Sequence, residues 1–131
     1  MRVFWVVLGL LIIPLSACDD GPAPQTAEER AAIVSAAATR LPADPALAEK
    51  YTRSCQSCHA DPENASPLSG DTRAWQARLD ARGTGGLLQS TLNGFGGMPP
   101  LGACPDCGLS DFKALISFMS ESRNEQSGAS E

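Results

Sequence analysis

Apolar side chains recur at helical spacing along the chain, and no stretch alternates apolar and polar residues as a strand would. Asp44 followed by Pro45 is typical of a helix start, because aspartate can cap free backbone N–H groups and proline fits the first helical position. This helix is predicted to run to about Cys55. Residues 72–81 and 85–95 predict two further helices, the second of which ends in a glycine-rich stretch. The predicted fold class is all-α.

A fourth helix is predicted near the C-terminus, with Ser110 as its N-cap. Its apolar stripe, at i, i+3, i+4 and i+7, comprises Phe112, Leu115, Ile116 and Met119. Upstream, residues 26–40 are rich in alanine, and Thr26 could cap a helix there. Because this segment has few large apolar residues, it predicts either a marginal surface helix or an extension of a tether. Residues 121–131 predict a polar, frayed tail.

The first 17 residues have the profile of a secretory signal peptide. Arg2 supplies the positive start, residues 3–13 are apolar apart from one glycine, and Pro14 ends the run. The apolar run is shorter than the roughly 20 residues that span a bilayer as a helix. Cleavage after residue 17 is therefore predicted, with an uncleaved membrane anchor as the alternative.

Cys18 closes the stretch Leu-Ser-Ala-Cys, which resembles the lipobox of bacterial lipoproteins. The resemblance implies diacylation of the Cys18 thiol, cleavage before it and acylation of the new amino group, and two or three acyl chains give stable anchoring. Asp19 at the next position implies retention in the inner membrane. Residues 19–25 are polar and proline-rich, which predicts a flexible tether.

The charge balance excludes one class of partner. The chain of 131 residues carries a net charge of −5, and removal of residues 1–17 leaves 9 basic and 15 acidic residues, a net charge of −6. No run of basic residues is present. Because phosphate contacts need clustered lysine and arginine, nucleic acid is not an expected partner.

Cys55, Cys58 and His59 form a C-x-x-C-H motif, the attachment signature of c-type haem. The two thiols of such a motif add across the haem vinyl groups, and the two-residue spacing fits the separation of the vinyls on one turn of backbone. The adjacent histidine, the only one in the chain, is then delivered to the iron as an axial ligand. The motif predicts one covalently bound haem c.

The cysteines have two other possible uses. A thioredoxin-like redox pair needs a βαβ context, and none is visible in the pattern. A zinc module could combine Cys55, Cys58, Cys104 and Cys107 as four thiolates, but it leaves His59 and the leader unexplained. Haem is the preferred interpretation, with a zinc site and a plain disulfide or redox pair as alternatives.

The mature chain offers two methionines as a second axial ligand, Met98 and Met119. Met119 completes the apolar stripe of the last helix, so core packing explains it. Met98 lies in Gly-Gly-Met-Pro-Pro, where glycines allow close approach of the backbone and prolines stiffen the loop. Met98 is the predicted ligand, and a methionine that plugs the loop into the core is the alternative.

Together these residues resemble class I c-type cytochromes, and within them the bacterial cytochrome c-five type, over about Leu47 to Met119. The resemblance rests on C-x-x-C-H, a Trp-x-x-Arg helix, Gly-Met-Pro-Pro and a second C-x-x-C at residues 104–107. It implies a small all-α fold in which helices wrap around one haem. It also implies a disulfide between Cys104 and Cys107, which an exported protein can form.

By the same resemblance, Trp75 and Arg78 lie near the haem propionates, with a core tryptophan and a solvated arginine as the alternative. The predicted organisation is a signal peptide (1–17), a lipidated N-terminus and tether (18–40), a cytochrome domain (41–120) and a tail (121–131).

The predicted function is single-electron transfer, without substrate turnover, between partners such as a membrane oxidase or reductase complex at the periplasmic face of the inner membrane. The alternatives are a haem c subunit or sensor with an open sixth position and a structural zinc module.

Overall fold

The computed structural model describes residues 24–121, and this part of the chain is helical and contains no strand. Its only β-type pairing is an isolated bridge between Phe95 and Met98. The helices are α1 (Ala27–Thr39), α2 (Pro45–Arg53), α3 (Gln56–His59), α4 (Thr72–Asn93), a short 3₁₀ helix (Pro100–Ala103) and α5 (Leu109–Ser120). The predicted all-α fold class is confirmed.

The alternatives for residues 26–40 were a marginal surface helix and an extension of a tether, and the structure has a helix there, α1. The Thr26 hydroxyl accepts from the Glu29 N–H at 3.1 Å, and the Glu29 carboxylate accepts from the Thr26 N–H at 2.7 Å. This reciprocal capping box stabilises the first turn of an alanine-rich helix. Only Ala37 of the helix is fully buried, so α1 is a surface helix.

Helix α2 begins as predicted, with Asp44 as its N-cap and Pro45 at its first position. The Asp44 carboxylate accepts from the Leu47 N–H at 2.8 Å. The helix ends at Arg53, two residues before Cys55. The C-x-x-C-H motif therefore follows almost directly after a helix whose start is capped.

The two helices predicted over 72–81 and 85–95 form one long element, α4, with a break inside it. Gly83 has φ 65° and ψ 172°, which is not helical backbone. Glycine adopts such a positive φ at little cost, so the chain changes direction there and continues as helix. The break divides α4 near the boundary that the hydrophobic pattern predicts.

The start of α5 differs from the prediction that Ser110 caps it. Gly108 is the N-cap, and the Asp111 carboxylate accepts from the Gly108 N–H at 2.8 Å. Because the carboxylate at the third helical position reaches back to the cap residue, the helix begins two residues earlier and Ser110 lies in its first turn. Phe112, Leu115 and Met119 of the apolar stripe are buried as expected, and Ile116 is half-buried.

The core is formed where α2, α4 and α5 meet. Its buried cluster comprises Tyr51, Trp75, Leu87, Leu115, Phe118 and Met119. Tyr51 and Phe118 pack edge to face with ring centroids 4.9 Å apart. Arg40, just after α1, donates to the Phe118 carbonyl at 3.0 Å and to the Glu121 carbonyl at 2.9 Å. A cation at these last carbonyls stabilises the C-terminus of α5 and connects α1 to the core.

The predicted signal peptide, the lipidation site Cys18 and the tail beyond residue 121 lie outside the described residues. The domain boundaries therefore stay predictions. Within residues 24–121 no helix has the length and apolar character needed to cross a bilayer.

Candidate functional site

The C-x-x-C-H motif occupies a single tight turn after α2. Cys55 is the N-cap of α3, and its carbonyl accepts from the Cys58 N–H at 3.3 Å and from the His59 N–H at 2.9 Å. Both Cys55 and Cys58 are free thiols; Cys55 is half-buried and Cys58 is exposed. Burial raises the pKa of the Cys55 thiol. The turn therefore presents two unpaired thiols and one imidazole within five residues.

The tautomer of His59 follows from its hydrogen bond. Nδ1 lies 2.8 Å from the carbonyl oxygen of Pro67, and a carbonyl can only accept, so Nδ1 carries the proton. Nε2 then keeps its lone pair, which is the atom an imidazole offers to a metal. His59 is 7% exposed, and burial lowers its pKa; the hydrogen bond to Pro67 acts in the opposite direction, and the Arg78 charge adds to the lowering. The neutral, ligating form is favoured.

The loop after His59 is fixed by backbone and side-chain hydrogen bonds. The Ser69 N–H donates to the His59 carbonyl at 2.7 Å, and the Ser66 hydroxyl donates to the Cys58 carbonyl at 2.6 Å. Trp75 stacks on the His59 ring at a centroid distance of 5.5 Å. The Ser69 N–H and the Trp75 ring therefore both hold His59 in place.

Trp75 and Arg78 lie close to His59, and each donates a hydrogen bond to a backbone carbonyl. The Trp75 Nε1–H donates to the Leu68 carbonyl at 2.9 Å, and the Arg78 guanidinium donates to the Ala74 carbonyl at 2.9 Å. Trp75 is buried in the core cluster. The propionate contacts of Trp75 and Arg78, and the alternative of a core tryptophan with a solvated arginine, stay predictions.

The two methionines occupy different environments. Met119 is 3% exposed and belongs to the core cluster. Met98 is half-buried, and its backbone is held by two hydrogen bonds with Phe95, each of 3.0 Å. A Cβ on Gly94 would lie 2.9 Å from the Met98 carbonyl oxygen, so glycine at 94 permits this tight loop. Met98 therefore lies on a constrained loop, whereas Met119 packs in the core.

The second cysteine pair closes the segment that follows Met98. Cys104 and Cys107 form a disulfide with Cα atoms 5.4 Å apart. Their thiolates are therefore not available for a four-cysteine zinc site. Among residues 24–121, no three His, Cys, Asp or Glu side chains are grouped so that they could hold a metal ion.

Two ion pairs that the sequence did not reveal connect α2 to the disulfide loop and α5. Lys50 Nζ lies 2.6 Å from Asp111 Oδ2, and an Arg53 guanidinium nitrogen lies 2.7 Å from Asp106 Oδ2. These hydrogen bonds hold the pKa of both carboxyls below the ordinary value. The only signal in the sequence is the i, i+3 spacing of the two cations, which does not name their partners.

One surface cleft among the described residues does not mark the site. It has a volume of about 490 Å³ and lies between α4 and the loop at Phe95, with Arg82, Gln89 and Ser90 among its lining residues. None of the C-x-x-C-H residues lines it. We identify the site by its chemistry instead: two free thiols beside a histidine that keeps an unprotonated Nε2, as attachment and ligation of a haem require.

The comparisons with known proteins agree with this chemistry. The family model described as "Cytochrome C oxidase, cbb3-type, subunit III" matches residues 42–119. A cytochrome c5 from Azotobacter vinelandii is 43% identical over 67 residues, which are 50% of this chain and 81% of that protein. A cytochrome c5 from Ectopseudomonas mendocina is 37% identical over 67 residues, 50% of this chain and 77% of that protein.

No solved structure matches the chain. The family match covers most of the segment from α2 to α5, which contains the C-x-x-C-H turn and the Met98 loop. The chain therefore belongs to the class I c-type cytochromes, resembles cytochrome c5 and carries covalently bound haem c.

Proposed function

We propose that this protein is a monohaem cytochrome that carries single electrons between respiratory partners at the periplasmic face of the inner membrane, to which its lipidated N-terminus anchors it. The observation that carries the proposal is the hydrogen bond from His59 Nδ1–H to the Pro67 carbonyl. It fixes the imidazole with Nε2 available as a ligand, beside two unpaired thiols.

Four side chains would hold the cofactor. Cys55 and Cys58 would attach it through thioether bonds, and His59 Nε2 and the Met98 sulfur would be the axial ligands. When bound, the haem supplies a one-electron ferrous–ferric couple whose potential a thioether ligand raises.

The protein contributes rigidity around His59. Trp75 stacks on one face of His59, and the Ser69 N–H holds the His59 carbonyl. If His59 and Met98 both held the iron, no open site would remain for a substrate, which would suit an electron carrier rather than an enzyme.

The contact with redox partners would be the apolar surface beside Met98, formed by Phe95, Pro99, Pro100 and Leu101. Phe95 is 57% exposed, Pro99 and Pro100 are exposed and Leu101 is half-buried. A small contact suits a brief encounter with a membrane oxidase or reductase complex. Anchoring through Cys18 would keep the protein near such partners, so that steering by surface acids matters less than for a diffusing carrier.

Haem attachment is tested by replacing each cysteine pair in turn. Cys55→Ala with Cys58→Ala should abolish haem staining on a denaturing gel, because both thioether bonds are lost. Cys104→Ala with Cys107→Ala is the matched control and should keep the stain, since that pair forms the disulfide. Covalent haem that survives the first double change would refute the assigned attachment.

The axial ligand is tested by Met98→Ala against Met119→Leu. Loss of the Met98 thioether should remove the weak methionine–iron absorbance band, lower the midpoint potential and allow carbon monoxide to bind ferrous protein. Met119→Leu should leave all three unchanged, because Met119 packs in the core. A wild-type protein that binds carbon monoxide readily and lacks the band would instead support a sensor with an open sixth position.

A further inference from the structure

The end of the Met98 side chain lies against Gly102. A Cβ placed on Gly102 would lie 3.2 Å from Met98 Cε and 3.8 Å from Thr91 Cγ2. A separation of 3.2 Å is tighter than ordinary van der Waals contact between carbon atoms. Gly102 is itself buried, so the Met98 methyl group occupies space that any other residue at 102 would need.

The backbone alone does not explain glycine at this position. Leu101, Gly102 and Ala103 have φ values of 58°, 54° and 60°, so three consecutive residues are left-handed. Two of the three carry a Cβ in the same conformation. What distinguishes Gly102 from its neighbours is therefore its contact with Met98 rather than its φ alone.

Thr91, on α4, borders the same space beside Gly102 as the Met98 methyl group. Its side chain is buried, and its hydroxyl donates to the Leu87 carbonyl at 3.0 Å. This bond satisfies the hydroxyl within the helix, and the Cγ2 methyl is the group that lies near Gly102. A threonine in a helix often bonds its hydroxyl to the preceding turn in this way.

We propose that Gly102 and Thr91 are positioning residues that fix the thioether of Met98, and we call the pair the Met98 seat. The inference rests on the proposed function, in which Met98 is the axial ligand. Neither residue touches the iron in this proposal. The seat acts by limiting where the Met98 methyl, and hence the sulfur bonded to it, can lie.

The test compares Gly102→Ala with Gly96→Ala in the holoprotein. Gly96 has φ 58°, almost the same as Gly102, but a Cβ there would meet nothing within 4 Å. Both changes impose the same left-handed backbone on alanine, and only Gly102→Ala presses on Met98. We expect Gly102→Ala to weaken the methionine–iron band, lower the potential and raise the affinity of the ferrous protein for carbon monoxide about tenfold, or about 1.4 kcal/mol.

Gly96→Ala should keep the wild-type band, potential and carbon monoxide affinity. Thr91→Ser is the second variant, because it keeps the hydroxyl that bonds to Leu87 and removes only the methyl. It should broaden or weaken the same band without loss of covalent haem. If Gly102→Ala fails to fold, Thr91→Ser still tests whether the Met98 seat positions the thioether.

The possible outcomes distinguish a failure of the Met98 seat from a failure of Met98 as the ligand. If the wild type shows no methionine–iron band, or Met98→Ala leaves the band intact, the ligand assignment fails. If Met98→Ala abolishes the band but folded Gly102→Ala matches Gly96→Ala, the ligand assignment stands and the seat is overturned. An unchanged band in Thr91→Ser, with Gly102→Ala unfolded, also overturns it.

Discussion

The imidazole of His59 lies against the indole of Trp75, with ring centroids 5.5 Å apart and ring planes inclined by 28°. The same indole donates its N–H to the Leu68 carbonyl, and the next residue, Ser69, donates its backbone N–H to the His59 carbonyl. Trp75 therefore supports the histidine directly through its ring and indirectly through the loop. The two forms of support can be separated by mutation.

Trp75→Phe should keep a ring beside His59 and lose the hydrogen bond to Leu68. Since the Leu68 carbonyl would lose this donor but keep the Asp71 N–H at 3.0 Å, we expect a loss of about 0.5–1.5 kcal/mol in the free energy of unfolding. Trp75→Leu removes the ring as well and should cost more. Urea unfolding followed by circular dichroism measures both, and equal losses for the two variants would show that ring stacking contributes nothing.

The ion pair of Lys50 with Asp111 should make stability depend on pH. The hydrogen bond from Lys50 lowers the pKa of Asp111 below its ordinary value of 3.8. A carboxyl whose pKa is depressed in the folded state stabilises it above the unfolded pKa and loses that effect as pH falls through the folded pKa. Asp111→Asn should therefore lower the urea midpoint near neutral pH, and its difference from wild type should shrink below about pH 4.

Asp106→Asn is the control for this pH dependence. The pKa of Asp106 is also depressed, through its hydrogen bond with Arg53, but the Asp106 side chain is 63% exposed. Exposed pairs contribute little to stability, so this variant should stay close to wild type across the same range. A larger effect for Asp106→Asn than for Asp111→Asn would contradict the ranking by burial.

Leu101→Glu should slow electron transfer to a membrane partner about tenfold, because it places a charge in the proposed apolar contact surface. The substitution keeps a Cβ at the left-handed position, so it adds no new backbone conflict. Leu109→Glu is the control, since Leu109 is a leucine that is 58% exposed, begins α5 and does not belong to the proposed contact surface. Stopped-flow rates that are the same for both variants would exclude this surface, provided spectrum and potential stay unchanged.

Cys18→Ser should abolish fatty-acid labelling, because the hydroxyl replaces the thiol that the lipobox resemblance assigns to acylation. The variant should either leave the membrane fraction or accumulate as an uncleaved precursor. Growth with radioactive fatty acid, followed by gel analysis, measures the label. A wild-type protein without label, or with an N-terminus other than residue 18, would refute the lipoprotein assignment.

Local signals in the sequence were sufficient where the structure depends on local geometry. The start of α2 follows from Asp44 and Pro45, and the burial of Met119 follows from helical periodicity. The predicted start of α5 was wrong because two residues compete as the cap. The Asp111 carboxylate bonds back to the Gly108 N–H, which places the cap at Gly108 and before Ser110.

Features that depend on tertiary contacts were not predictable from one sequence. The Pro67 carbonyl that fixes the His59 tautomer lies eight residues along the chain, in a loop without a pattern of its own. The partners of Lys50 and Arg53 are 61 and 53 residues away. Such pairs become evident only when the helices are placed together.

The shallow attachment of α1 has a consequence for hydrogen exchange. One of its 13 residues, Ala37, is fully buried, and its start is joined to Asp71 by a hydrogen bond from Gln25 and an ion pair with Arg30. A segment held mainly by polar contacts can open while the remaining helices stay closed. Amide protons of α1 should therefore exchange early, those around Leu115 and Phe118 should exchange last, and added salt should accelerate α1 alone by weakening the Arg30–Asp71 attraction.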